Sequence, residues 1–210
     1  MKKKVILIGT GTNTNQIINE IERCKDVKIE GIVYFQRKFL KKFKNYTILG
    51  DLKILKKLKF KKCKILITLG STSLRKKIAT NIVKEKIKNK FFTLISKNCI
   101  VSKSANISEG TILMTGCVIN SNSKIGKHSL INTSAIIEHD NKIGNFNNIG
   151  PNSIIAGGSQ TGENVNINIS STVLDKIKIC SNVTIGAKSL VNKNVDQSGT
   201  YFGVPIKKIK

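Results

Sequence analysis

The residues best suited to chemistry stand together at Glu138, His139 and Asp140. A neutral imidazole held by a carboxylate is a good general base near neutral pH, able to take a proton from an amine or hydroxyl that attacks a thioester. A surface histidine in a charged turn would have the same sequence, so these residues alone leave both interpretations open. The only other histidine, His128, has no acidic neighbours, and we predict that it is a surface residue.

A repeat of six residues must position these side chains. Stepping by six from Ile95 to Val191 meets an aliphatic residue at sixteen of seventeen positions, and Thr161 is the exception. The helical period of 3.6 does not keep this phase and no single strand is this long, so the repeat predicts a solenoid. Small residues recur four positions after each aliphatic one, as at Ala105 and Ser129. We predict a left-handed parallel β-helix of five to six three-sided coils, whose exposed flanks favour oligomers.

Several positions of the repeat carry more specific predictions. The many asparagines and five glycines of the repeat suit corners that need left-handed backbone angles; the glycines are Gly126, Gly144, Gly150, Gly162 and Gly186. A local bend or loop is expected where the repeat is weakest, at Thr161 and over 173–176. The period ends near Val191, and a turn in a C-terminal tail is expected over 203–205.

The N-terminal third alternates short apolar runs with amphipathic ones, the pattern of a parallel sheet covered by helices. Strands are predicted over 5–8, 29–34 and 65–69, and helices over 15–24, 52–58 and 74–87. The fold class is therefore an α/β N-terminal Rossmann-like subdomain followed by the β-helix. The domain boundaries are 1–92, 93–192 for the β-helix, and 193–210 for the tail.

Glycines follow the first predicted strand at Gly9 and Gly11, where the backbone could approach a phosphate near a helix N-terminus. The dinucleotide fingerprint is incomplete, because Thr14 replaces its third glycine and the second strand ends in Tyr34-Phe35-Gln36 without an acidic residue. A redox dinucleotide site is therefore not expected. Tight-turn geometry explains the two glycines equally well.

Composition excludes several classes of function. The net charge is +25, but only three of the 37 basic residues are Arg and aromatic residues make up 5% of the chain, so we expect a solvated surface and no nucleic-acid partner. The five cysteines are scattered without metal-ligand spacing, which indicates neither disulfides nor a metal site. Without a secretion signal or a spanning segment, we expect a cytoplasmic protein with no stable membrane insertion.

Four motifs together carry a family resemblance: LGSTSLRKKI (69–78), INTSAIIEHD (131–140), AGG (156–158) and FGVP (202–205). With the hexads, they make the chain resemble sialic-acid and bacillosamine type sugar O-/N-acetyltransferases of the hexapeptide-repeat superfamily. The resemblance implies a homotrimer that uses acetyl-CoA without a metal, with His139 as the base and Asp140 as its orienting carboxylate. It also implies that the Gly157 amide stabilises an oxyanion.

The resemblance implies further binding residues and an acceptor. Acetyl-CoA would contact Asn148, Gly157, Gly158 and Gly186, and Asn148 stands where such enzymes commonly have a second histidine. Asparagine can donate a hydrogen bond there but does not titrate near pH 7. A nucleotide sugar would bind the N-terminal domain, at Gly9, Gly11 and Asp51.

The predicted reaction is acetylation of the amine of a UDP-linked 4-amino sugar in surface glycan biosynthesis. Two alternatives stay open: sialic-acid-type O-acetylation, and a non-catalytic solenoid partner in glycan synthesis.

Overall fold

A computed structural model describes residues 2–35, 41–57 and 60–209. The chain divides into two compact units, Met1–Thr93 and Leu94–Lys210. The boundary lies one residue from the predicted one, and residues 193–210, predicted to form a separate tail, are part of the second unit.

In the part of the first unit that the structure describes, a five-stranded sheet is accompanied by two α-helices and the 3₁₀-helix Leu52–Lys56. Its strands are β1 (Lys3–Ile8), β2 (Val27–Val33), β3 (Lys42–Phe43), β4 (Tyr46–Gly50) and β5 (Lys64–Ile67); its helices are α1 (Thr12–Glu22), α2 (Thr72–Lys84) and the 3₁₀-helix Leu52–Lys56. The spatial order is β3-β4-β2-β1-β5; among these described strands the β3–β4 pair is antiparallel and the other pairs are parallel.

Burial of apolar residues explains these elements. The four residues Val5 to Ile8 of β1 are all 0% exposed, as expected for a central parallel strand covered on both faces. Helix α1 buries Ile17, Ile18 and Ile21 on one side. Helix α2 begins after Ser71, whose hydroxyl accepts a hydrogen bond from the Leu74 amide at 3.3 Å.

Two parts of this unit differ from the prediction. Strands β3 and β4 were missed, because the short lysine-rich sequence around them has little strand periodicity. The helix predicted over 52–58 is the 3₁₀-helix ending at Lys56. Its predicted end, Leu58, lies outside the described residues, as does Gln36 after the second strand.

The second unit consists of short strands that stack into three sheets. The first sheet contains β7 (Ile100–Val101), β10 (Val118–Ile119), β13 (Ile136–Ile137), β16 (Ile154–Ile155), β19 (Thr172–Val173) and β22 (Leu190–Val191). The second contains β8 (Asn106–Ile107), β11 (Lys124–Ile125), β14 (Lys142–Ile143), β17 (Gln160–Thr161) and β20 (Lys178–Ile179). The third contains β6 (Leu94–Ile95), β9 (Ile112–Leu113), β12 (Leu130–Ile131), β15 (Asn148–Ile149), β18 (Asn166–Ile167), β21 (Val183–Ile185), β23 (Gly199–Phe202) and β24 (Lys207–Lys208).

Successive coils are offset by eighteen residues. Ile119 pairs with Ile137 and Ile137 with Ile155, in parallel register. These three side chains are 0% exposed and belong to one continuous core. The stacked parallel strands form the predicted left-handed β-helix, so this part of the predicted fold class is confirmed.

The corner prediction is confirmed for asparagines and wrong for the five glycines. Left-handed backbone angles recur every six residues, at asparagines such as Asn122 and also at His128 and Asp140, and not at the five predicted glycines. Those glycines serve close stacking instead. A Cβ on Gly126, for example, would lie 2.5 Å from the carbonyl carbon of Gly144 in the next coil. The repeat needs them for space, not for backbone freedom.

The expected bend at the weak hexads is also wrong. Thr161 lies in β17 with 8% of its surface exposed, and its hydroxyl accepts a hydrogen bond from the Gly144 amide at 3.1 Å. Lys176 adopts the same left-handed corner angle as its counterparts, with φ +57°. Threonine can stand at this inward position in place of an aliphatic residue because its hydroxyl has a hydrogen-bond partner in the preceding coil.

Two faces of the β-helix differ in their outward residues. The first sheet forms an apolar face, on which Ile100, Val118, Ile136, Ile154, Thr172 and Leu190 lie one above another. The second sheet forms a lysine face, with Asn106, Lys124, Lys142, Gln160 and Lys178 in the equivalent positions. The C-terminal residues extend the third sheet, where β23 pairs in parallel with β21.

Candidate active site

His139 lies in the turn between β13 and β14, at the corner between the apolar face and the lysine face. Its Nδ1 atom lies 2.8 Å from Oδ2 of Asp140, and both side chains are more than half exposed. A carboxylate can only accept a hydrogen bond, so Nδ1 of the neutral ring carries the proton. The Nε2 lone pair is then available to a ligand.

The imidazole of His139 packs against Gly157 of the next coil. A Cβ at this position would be 2.7 Å from both Cε1 and Nε2 of His139, so any side chain would displace the ring. The following amide, Gly158 N–H, donates to the carbonyl of His139 at 3.0 Å. The Gly157 amide itself has no hydrogen-bond partner among the described residues, which leaves this donor next to the imidazole.

Asp140 is held by more than the histidine. Its Oδ1 accepts a hydrogen bond from Nδ2 of Asn122 at 3.1 Å, and its backbone N–H donates to Ser121 at 2.9 Å. The hydrogen bond from His139, followed by the one from Asn122, lowers the pKa of Asp140 below its ordinary value. Asn122 was missed by sequence reasoning, although it lies one coil, or eighteen residues, before Asp140.

Glu138, the other carboxylate of the cluster, points to a different partner. Its Oε2 accepts a hydrogen bond from Nδ2 of Asn120 at 2.9 Å. The carboxylate hydrogen-bonded to the imidazole is therefore Asp140, the residue that the resemblance assigned to this position.

The prediction for His128 is wrong. Only 4% of its surface is exposed, and its ring stacks on Phe146 with centroids 5.2 Å apart and planes 13° apart. It also lies against Gly110 of the preceding coil. Sequence neighbours could not show this, because both partners lie eighteen residues away and reach His128 only when coils stack.

The other predicted donor-binding residues lie elsewhere on the β-helix. Asn148 is in β15 on the third sheet, where its Nδ2 donates to Asn166 at 2.8 Å and its buried Oδ1 has no partner among the described residues. Gly186 lies beneath the ring of Phe202, and its amide donates to the Tyr201 carbonyl at 2.7 Å. The structure therefore gives Gly186 a packing role, whereas Asn148 keeps an unused acceptor.

The predicted acceptor-binding residues lie in the first unit, after its parallel strands. Gly9 has φ +133°, and a Cβ there would lie 2.8 Å from Leu69. Gly11 is the N-cap of α1 and has open space around it. Asp51 caps the 3₁₀-helix by accepting from the Lys53 amide at 2.9 Å.

Of these three residues, Asp51 borders a cavity of about 330 Å³. The cavity is lined by Tyr34, Phe35, Asp51, Leu52, Lys53, Asn81, Lys84 and Glu85. Gly9 and Gly11 are not among the lining residues.

Sequence reasoning also missed the structural role of Arg75. Its guanidinium is 1% exposed and donates to the carbonyls of Leu69 and Gly70 at 2.9 and 2.8 Å. Burial lowers its pKa to about 10. The side chain fixes the loop after β5, which lies at the same sheet edge as Gly9.

Over 2–35, 41–57 and 60–209, no group of three or more His, Cys, Asp or Glu side chains is arranged to hold a metal ion. In the same part of the chain, no helix is long and apolar enough to cross a membrane.

No protein-family model and no curated protein sequence matches this chain, but solved structures resemble it over its whole length. One is PerB from Caulobacter crescentus, in complex with CoA and GDP-perosamine, with a TM-score of 0.89, 26% identity, and coverage of 99% of this chain and 97% of that one. The acetyltransferase domain of PglB from Neisseria gonorrhoeae, in complex with acetyl coenzyme A, has a TM-score of 0.90, 22% identity and 100% coverage of both chains. WeeI from Acinetobacter baumannii has a TM-score of 0.73, 18% identity, and coverage of 99% and 100%.

A structure of perosamine N-acetyltransferase, also from Caulobacter crescentus, has a TM-score of 0.90, 25% identity, and coverage of 99% of this chain and 97% of that one. The resemblance to sugar acetyltransferases inferred from the motifs is therefore confirmed. PerB and the PglB domain were solved with CoA or acetyl-CoA, the donor that the motifs implied for this chain.

Proposed function

We propose that this chain is an acetyl-CoA-dependent N-acetyltransferase that acts on the amine of a nucleotide-linked 4-amino sugar, with His139 as the general base. The observation that carries the proposal is the His139–Asp140 pair, which lies against Gly157 in an exposed turn. This turn belongs to a fold shared along the whole chain with perosamine N-acetyltransferase.

The chemistry follows from the atoms of this turn. The sugar amine attacks the thioester carbonyl carbon, and Nε2 of His139 takes a proton from the attacking nitrogen. Asp140 holds the ring through Nδ1 and stabilises the imidazolium that forms. The carbonyl oxygen becomes an oxyanion, which the Gly157 amide stabilises. The carbon–sulfur bond then breaks, and the imidazolium returns the proton to the CoA thiolate.

The donor would lie along the β-helix next to this turn. Gly157 contributes an amide without a partner in the part of the chain that the structure describes, whereas the Gly158 amide already donates to the His139 carbonyl. Asn148 is a further proposed contact of the donor; because its Nδ2 donates to Asn166 and its Oδ1 is buried, its side chain would have to turn before it meets an amide of the pantetheine arm. Asn148 would thus bind the donor without carrying a proton.

The first unit would bind the nucleotide part of the acceptor as a Rossmann-like domain. Its parallel strands have the order β4-β2-β1-β5, so the chain reverses direction across the sheet between β1 and β5. Ligands of open α/β sheets bind at the carboxyl ends of strands at such a point. Gly11 and the α1 N-terminus follow β1 there and can approach a phosphate, while Asp51 borders the cavity beside Tyr34.

The apolar face supports a homotrimer. Ile154 is 37% exposed and Ile100 67% exposed on a protein of net charge +25, and no lysine is among the outward residues of this face. A second copy can cover such a stripe without bringing like charges together. Analytical ultracentrifugation should give a trimer for the wild type and smaller species for Ile154→Lys; an unchanged trimer in the variant would place the interface elsewhere.

The experiment is CoA thiol release from acetyl-CoA by purified protein with a panel of acceptors. The panel contains GDP- and UDP-linked 4-amino sugars, their hydroxyl analogues and free sialic acids, and each product is identified by mass spectrometry. We expect an amide product from one nucleotide-linked amino sugar and its loss in His139→Ala. An ester product would support O-acetylation, and no turnover by folded protein would support the non-catalytic alternative.

A further inference from the structure

Asn122 and Asp140 occupy the same corner position in successive coils. Both have left-handed backbone angles, with φ +59° at each. The amide of Asn122 donates to Oδ1 of Asp140, and the other carboxylate oxygen of Asp140 faces His139 Nδ1. The three side chains form one chain of hydrogen bonds that begins one coil away from the imidazole.

The backbone of Asn122 is fixed from its other side. Its N–H donates to the hydroxyl of Ser104, one further coil away, at 3.0 Å. The Asn122 side chain therefore projects from an anchored corner, whereas the Asp140 carboxylate is more than half exposed. An exposed side chain with a single partner changes rotamer on the picosecond to nanosecond timescale. A second hydrogen bond opposes that rotation.

We propose that Asn122 is a positioning residue that holds the Asp140 carboxylate in the orientation that fixes the imidazole of His139. The expected change in reaction rate rests on the proposed function. The expected change in the His139 tautomer does not. With Asp140 fixed, the neutral ring keeps its proton on Nδ1 and its lone pair on Nε2. If the Asp140 carboxylate is not held in this orientation, the neutral ring also populates the other tautomer, in which Nε2 is protonated and cannot act as a base.

A neighbouring pair provides a matched control. Asn120 donates to Glu138 at 2.9 Å, between the same two coils and with the same chemistry, yet Glu138 is not the carboxylate bonded to the imidazole. If such pairs only brace the corner, removing either asparagine should have the same consequence. If the proposal holds, only the Asn122 pair affects His139.

The test measures the tautomer of neutral His139 by ¹⁵N NMR of the imidazole, together with kcat and KM. Asn122→Gly removes the amide and tolerates the left-handed angle, and Asn122→Asp keeps the shape but replaces the donor with a like charge. We expect both variants to shift His139 toward the Nε2-protonated tautomer. They should lower kcat by about tenfold with little change in KM. This loss is smaller than the roughly hundredfold that a 1 Å misplacement of a reacting group can cost. Asn120→Ala should change neither quantity.

The outcomes separate the two proposals. An unchanged His139 tautomer in both Asn122 variants would overturn the positioning role, even if wild-type protein acetylates a sugar. An equal loss in Asn120→Ala would also overturn it, in favour of general bracing. If the wild type shows no acetyl transfer, the proposed function fails, while the tautomer still tests Asn122. Should Asn122→Gly not fold, the isosteric Asn122→Asp gives the same measurement.

Discussion

The two histidines occupy different corners of one β-helix, and each ring lies against a glycine of a neighbouring coil. His139 lies against Gly157 of the following coil, and His128 against Gly110 of the preceding one. The first ring is exposed beside a carboxylate, whereas the second is buried against Phe146. The repeat thus provides the same kind of support twice, and the side chains stacked at each corner decide whether the imidazole can meet a ligand.

Removing each imidazole should give opposite results. His139→Asn should lower kcat by about 10²- to 10⁴-fold, the contribution of a general base, with a normal melting temperature. His128→Asn should retain kcat but lower the melting temperature, because a buried stacked ring is lost. Initial rates and thermal unfolding check both variants. A comparable loss of kcat in His128→Asn would remove the distinction between the two corners.

Asp140→Asn should lower kcat by about a hundredfold, because an amide cannot stabilise the imidazolium as a carboxylate does. The hydrogen bonds from His139 and Asn122 lower the pKa of Asp140 below its usual value of 3.8. A lowered pKa means that these interactions are complete above the ordinary value and lost only as pH falls through the lowered one. The ratio of the wild-type to variant rates should therefore show no titration of Asp140 from about pH 5 to pH 9. A ratio that changes because Asp140 titrates within that range would contradict this assignment.

The two glycines should also separate activity from stability. Gly157→Ala should lower kcat by about tenfold through displacement of the ring, and cost little stability because an exposed side chain can move aside. Gly110→Ala places a side chain at a φ of +72° and against the buried ring of His128. It should lower the free energy of unfolding by about 2 kcal/mol without affecting kcat. Denaturant unfolding and initial rates measure both. Loss of rate in the Gly110 variant would mean that the corners are coupled.

The smallest expected effect is that of Phe146→Leu. Its ring stacks on His128, and losing an aromatic pair costs about 1 kcal/mol. The free energy of unfolding should fall by that amount, with kcat and KM unchanged. A change in kcat would show that the buried corner contributes to catalysis.

The solenoid could be predicted because its six-residue repeat of aliphatic residues is visible along the sequence itself. Ile119, Ile137 and Ile155 recur in phase and become the stacked core. The position of His139 in a turn, beside Asp140, also follows from adjacent residues.

What could not be predicted depends on the neighbouring coil. Asn122, Phe146 and Gly110 reach the two histidine corners across an eighteen-residue offset, which appears only when the coils stack. The glycine assignments failed for the same reason, since Gly126 is required by the backbone of the coil beside it. In the first unit, the short strands around Lys42–Gly50 gave no periodic signal.

A crystal structure with CoA and the nucleotide-linked amino sugar that proves active would show directly whether His139 is the base. We expect the acceptor nitrogen within about 3.2 Å of His139 Nε2, or joined to it through one water, with the CoA sulfur beside the Gly157 amide. Both ligands bound at full occupancy with the amine at another corner, away from His139, would contradict this role of His139.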